Sequence, residues 1–184
     1  IRDEIARRKL DKSTWEINHT ILDVNKLEID ELFQKEFLGN DEKLVAVKLP
    51  GFKSLLSHFT QPGKMFADEL ADRLKVIACL ERPNLFHTEE IKPVFSSDFW
   101  ETPASKLKAT STDALIVFRG PEADIETALD VITERCLMAF DGVPGETRKG
   151  LPDGTTIFER VLPGADRMYP DTDSAPIPLS NEYI

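Results

Sequence analysis

The sequence predicts an α+β domain, a mainly antiparallel sheet packed in two layers with helices, and three observations predict it. The runs LVAVKL at 44–49 and ALIVF at 114–118 are short, apolar and rich in β-branched residues, which marks strands. Two longer stretches, Met65–Leu80 and Pro121–Phe140, repeat apolar residues at three- and four-residue steps, which marks amphipathic helices. The order strand, helix, strand, strand, helix is not the regular alternation that builds a parallel sheet.

Residues 1–10, IRDEIARRKL, put Ile1, Ile5 and Leu10 on roughly one helical face, the expected end of a helix that starts earlier in a longer chain. Ser13–Asn25 is mixed and β-branched and holds a short strand. VNKLEIDELFQKEFLG then carries Leu32, Phe33, Phe37 and Leu38 between acids, an expected acidic helix closed by Gly39. In the next strand Val45, Val47 and Leu49 alternate with Ala46 and Lys48, and Pro50-Gly51 stops it. After a turn at Gln61–Lys64, Phe66, Leu70, Leu74 and Ile77 define the buried stripe of a helix. NLFHT at 84–88 reads as a short strand, and 89–110, with Pro93 and Pro103, as irregular. Following the second long strand, Gly120-Pro121-Glu122 opens a helix with Pro near its first turn and acids at the positive end of its dipole. Ile125, Leu129, Ile132, Cys136 and Phe140 form its inner face, and Gly142 ends it.

These boundaries give three parts: an N-terminal linking helix with an acidic helical segment at 1–39, an α+β domain at 40–142, and a segment at 143–184 that belongs to a neighbouring domain. The 184 residues carry a formal net charge of -10, which argues against a dedicated polybasic nucleic-acid surface while leaving room for a local RNA contact. No apolar run approaches the roughly 18 residues that a membrane helix needs, so no membrane is expected. Cys79 and Cys136 both fall in helical patterns and read as buried free thiols, which fits a reducing cytoplasm.

Chemistry is sparse. His19, His58 and His87 are not at metal-ligand spacing and read as structural or solvent-facing. GFKSLLSHFTQPGK fails as a phosphate loop because Met65 follows Gly63-Lys64 where Ser or Thr is needed. Ser54, His58 and Asp68 lack the elbow that activates a serine. Thr88-Glu89-Glu90 offers paired carboxylates, but a helix N-cap with acids behind it is the better reading. The stretch from Asp153 to Ile177 is broken by Pro163, Pro170 and Pro176 and carries Arg160, Arg167, Tyr169, Asp171 and Asp173. Arginines near an Asp-x-Asp can hold a phosphate or a metal-bound nucleotide; equally, they can be solvated loop charges. The residues alone leave both readings open.

The phrase RMYPDTDSAPI, preceded by GVPGETRKGLPDGTTIFERVLPGAD, resembles the family of E-type subunits of the archaeal Glu-tRNA(Gln) amidotransferase. The upstream LVAVKLPGFKSLLS, QPGKMFADELADRLKV and LFHTEE are similar to the domain inserted in that family and shared with bacterial-type aspartyl-tRNA synthetases. Gly145, Asp166 and Asp171 depart from the family's usual Glu, Ala and Glu, and residues 93–110 match poorly. The resemblance implies a protein that uses ATP and magnesium to activate the tRNA-linked glutamate as a γ-glutamyl phosphate. Ammonia from a partner, the amidotransferase's D-type subunit, then displaces phosphate to make Gln-tRNA(Gln), within a heterotetramer. It further implies that the principal ATP- and metal-binding residues precede this chain, so that no catalytic, cofactor or metal ligand is expected within it. On this reading 153–177 is a return path into the catalytic domain, and Arg160, Arg167, Tyr169, Asp171 and Asp173 are candidates for a place near the site or against tRNA. The alternative is a stand-alone α+β interaction or ligand-binding module without catalysis.

Overall fold

The computed structural model describes residues 1–27 and 41–161. The elements run α1 (Arg2–Arg7), β1 (Asn18–Leu22), a 3-10 turn (Val24–Lys26), β2 (Glu42–Leu49), β3 (Phe59–Gln61), β4 (Lys64–Met65) and α2 (Phe66–Ile77). Next come β5 (Leu85–His87), α3 (Ser97–Lys106), β6 (Ala114–Pro121), a second 3-10 turn (Glu122–Asp124), α4 (Ile125–Asp141), β7 (Glu146–Gly150) and β8 (Thr156–Val161). The expected acidic helix ending at Gly39 lies outside the described residues.

Four strands form one antiparallel sheet in the order β1-β2-β6-β5. The pairing of Val45 with Phe118 and of Val47 with Ile116 fixes which side chains share a face. Val45, Val47, Leu49, Ala114, Ile116 and Phe118 point to one layer, where Phe66, Leu70 and Leu74 of α2 and Ala128, Ile132 and Cys136 of α4 complete the main core. The helical stripe read from spacing is the one that packs, and Gly142 ends α4 at a φ of 120°.

The opposite face is covered as well. Leu44, Ala46, Leu115 and Val117 pack with Leu22, Phe86, Phe95, Phe99 and Leu107. That cover is α3, in a region expected to be irregular. Its start is set by Ser96, whose hydroxyl accepts a hydrogen bond from the Phe99 amide (3.4 Å), and it tolerates Pro103 inside its span. Phe95 stacks on Phe99 with ring centroids 4.0 Å apart. Coverage on both faces explains why Leu44–Val47 are all fully buried rather than alternating.

Local anchors tie the N-terminal segment to this body. The Trp15 indole donates to the Pro50 carbonyl (2.9 Å) and packs on Phe52 and Phe140. Gly51 turns the chain at a φ of 69° and donates its amide to Asp113 (2.9 Å); a Cβ there would lie 2.6 Å from Leu10 Cδ2 and force that side chain to shift.

The second core layer is expected to be worth real stability. Phe99→Ala should lower the unfolding free energy by about 3 kcal/mol in a urea titration; a loss under about 1 kcal/mol would mean α3 is not a structural cover.

Candidate functional site

Two helices and a hairpin meet in a buried ion network. Glu69 and Arg73 stand one turn apart on α2, on the face that also carries Phe66, Leu70 and Leu74. Arg135 sits inside the apolar stripe of α4, between Ile132 and Ala139. Its Nε and Nη2 donate to Glu69 Oε2 at 3.2 and 2.7 Å, and its guanidinium lies over the Phe66 ring, 4.7 Å from the centroid. The hairpin β7–β8 contributes the remainder. Arg73 is ion-paired with Glu146, both side chains being almost wholly buried, and the Arg73 guanidinium stacks over Phe158 at 4.3 Å. Arg148 pairs with Glu146 (2.5 Å), reaches within 4.0 Å of Glu69, and donates to the Thr156 hydroxyl (2.7 Å). Gln61 of β3 donates to the Thr156 carbonyl and so joins the small hairpin β3–β4 to β8.

Burial and the neighbouring Arg135 and Arg148 charges pull Arg73 down to about 10, still charged at neutral pH, with Glu69 working in the other direction. Beside the network a cavity of about 480 Å³ opens between α4, β3 and the start of the chain, with Glu69, Arg135 and Arg148 in its wall.

A second cavity, about 460 Å³, lies between α2 and the loop after β5. His87, 5% exposed, lines it and accepts the Glu89 amide on Nδ1 (3.2 Å), which places its proton on Nε2. Burial pushes the His87 pKa below its ordinary value, against the fields of Glu89 and Asp68. Glu90 accepts the amides of His87 and Val94, and burial raises its pKa. Thr88 caps no helix. Glu89 instead binds the Ser54 and Ser57 amides at 2.6 and 2.9 Å, so both carboxylates shape loops and the helix expected behind Thr88 begins only after Ser96.

Of the residues singled out from sequence, Arg160 lies exposed on β8, opposite Thr147. Arg167, Tyr169, Asp171 and Asp173 fall outside the described residues. Cys136 is fully buried, its thiol pushed up to about 12 by burial. Cys79 corrects the expectation for it: α2 ends at Ile77, and Cys79 is exposed on a left-handed turn at a φ of 55°. Among the described residues, no three His, Cys, Asp or Glu side chains cluster as metal ligands, and no helix is long and apolar enough to cross a membrane.

No family model matches the chain. Over 191 residues it is 38% identical to the E-type subunit of the Glutamyl-tRNA(Gln) amidotransferase of Methanocaldococcus jannaschii, covering 100% of this chain and 29% of that protein. It is 34% identical over 195 residues to the corresponding protein of Sulfurisphaera tokodaii, covering 100% of this chain and 31% of that protein. It is 40% identical over 151 residues to that of Pyrobaculum calidifontis, covering 82% and 24%. The chain thus spans less than a third of the length of these relatives.

Two outcomes are expected. Glu146→Ala strands the buried Arg73 guanidinium and removes a partner of half-buried Arg148, and should cost about 3–5 kcal/mol by chemical unfolding, whereas exposed Arg160→Ala should stay within about 0.5 kcal/mol. For His87, the folded pKa lies below the unfolded value of 6.5, so the unfolded chain binds more protons between the two. Stability should therefore fall as pH drops below about 6.5 and level off below the folded pKa. Melting curves across that window test this, and His87→Gln should flatten the slope.

Proposed function

We propose, from the premise that the chain belongs to the family of E-type subunits of the archaeal Glu-tRNA(Gln) amidotransferase, that it forms the inserted α+β domain at 40–142 and the segment at 143–184 that returns to the catalytic domain. In the whole protein, ATP with magnesium supplies the phosphoryl group that makes the tRNA-linked glutamate a γ-glutamyl phosphate. The activation has a clear chemical reason. A carboxylate carbon is a poor target for ammonia because oxide is no leaving group, whereas phosphate departs readily as the C–N bond forms. The D-type subunit, in a heterotetramer in the cytoplasm, is the proposed source of ammonia, and tRNA(Gln) carries the substrate.

Within that scheme this chain is an architectural and tRNA-contacting module. The observation that carries this reading is the buried ion network, which clamps the β7–β8 hairpin to α2 and, through Glu69, links α2 to α4. The hairpin leads directly into the segment holding Arg167, Tyr169, Asp171 and Asp173. A rigid body that fixes the hairpin sets the direction in which that segment leaves. Arg160, exposed beside it, is the proposed phosphate contact.

The test uses the whole protein with its ammonia-supplying partner. Glu146→Gln is expected to cut Gln-tRNA(Gln) formation about tenfold or more under conditions where circular dichroism shows the fold retained. Arg160→Ala should weaken tRNA(Gln) binding and reduce the salt slope by about one. Undiminished amidation by Glu146→Gln, or ATP-dependent turnover of Glu-tRNA(Gln) by this chain alone, would overturn the proposal.

A further inference from the structure

The ion network holds three guanidiniums, Arg73, Arg135 and Arg148, against two carboxylates, Glu69 and Glu146. It therefore carries one more positive charge than negative in a place largely closed to water. Exposed Glu134 reaches Arg73 only through its field. Two guanidinium N–H groups in this network are also without a hydrogen-bond partner, Arg73 Nε and Arg135 Nη1, on residues 1% and 4% exposed. Buried donors of this kind are rare because each forfeits its hydration without a protein acceptor in return. One missing anion would supply both the absent charge and an absent acceptor.

The adjoining cavity, about 480 Å³, is of a size that takes a small organic molecule. Its charged and titratable lining consists of Arg2, Asp3, His58, Glu69, Arg135 and Arg148. Arg2 and Asp3 pair with each other near the surface, and Glu69 is already engaged by Arg135 and Arg148. Arg148 is engaged by Glu146 and Thr156, so Arg135, with its Nη1 unpaired, is the unsatisfied guanidinium among the lining residues. Apolar walls come from Ala139, Pro144 and Val143.

We propose that this cavity is a binding site for a small organic anion, with a carboxylate or phosphate head between Arg148 and Arg135 and an apolar body against Ala139, Pro144 and Val143. Arg148 is the movable partner, since its side chain is 23% exposed while that of Arg135 is 5% exposed. Its N–H groups are held by Glu146 and Thr156, and the anion would have to draw them toward the cavity, where a planar fork suits two oxygens of either head group. With a chain net charge of -10, this recess suits a ligand that brings one anionic group better than it suits a polyanion, whose proposed contact is the exposed Arg160.

The experiment is calorimetric titration of the intact protein with phenylacetate, phenyl phosphate, the neutral benzyl alcohol, and tRNA as separate arms. Saturable binding of at least one small anion, with a Kd at or below about 1 mM, is expected, together with no response to benzyl alcohol. Arg148→Gln should weaken the anion about tenfold or more. Should that variant fail to fold, Val143→Asp tests the same point, because Val143 is 95% exposed and a carboxylate at the mouth repels an anion. No saturation by about 10 mM, equal response to benzyl alcohol, or binding untouched by the variant that folds overturns the proposal. Binding of tRNA with no response to the small anions also overturns it.

Discussion

The pairing of Arg73 with Glu146 is the constraint on which the arrangement of this chain depends. Both side chains are almost wholly buried, so neither can be exposed or lost without leaving an uncompensated charge in a dry environment. Buried ion pairs add little net stability over well-packed apolar groups, because desolvation offsets the attraction. Their value is directional. Phe158 packed over Arg73 would keep the hairpin near α2, but only oriented guanidinium bonds fix its rotation and register. Arg148 extends the same lock by binding Glu146 and Thr156 within the hairpin while reaching Glu69 across the interface.

Everything beneath the network serves to hold its helices still. α2 and α4 lie against one face of a sheet whose two central strands are buried on both sides. The second cover, α3, makes the sheet a rigid spine instead of a one-sided layer. Trp15, Phe52 and Phe140 then brace the chain's first segment against the end of α4, close to where the hairpin starts. Packing of this density transmits position across the domain, which is what a module that sets the exit direction of its own chain requires.

Much of this fold was legible in the sequence, because hydrophobic spacing reports burial directly. The stripes of α2 and α4 and the strands β2 and β6 follow from it, as do the stops at Pro50-Gly51 and Gly142. α3 was hidden because Pro93 and Pro103 read as breakers, although Phe99, Trp100, Pro103, Ala104 and Leu107 recur at helical spacing and Ser96 caps the start. Cys79 was misjudged because the helical pattern continues to Leu80 while the backbone turns left-handed before it. The ion network could not be read by spacing, since its members come from α2, α4 and β7. A local trace did exist: Arg135 interrupts the apolar stripe of α4, and Glu69 and Arg73 share the inner face of α2. Charges on a buried face must find partners, although sequence does not say which.

The resemblance, which runs along nearly the whole chain and is most specific in its final quarter, located the family, and the physical reading located a different centre of interest. Of the residues drawn from the motif, Arg160 stands on the hairpin and the other four follow it in sequence, while the buried charge joins the hairpin to α2. Both fit the proposed scheme in which the body orients the segment that follows it. Hydrogen exchange on the intact protein measures this most directly. The account predicts that the β7–β8 amides open with free energies within about 1 kcal/mol of those in α2, because the hairpin and helix share buried charges and separate only together. Hairpin amides exchanging several orders of magnitude faster than those of α2 would contradict it, since the network would then not be holding the hairpin in place.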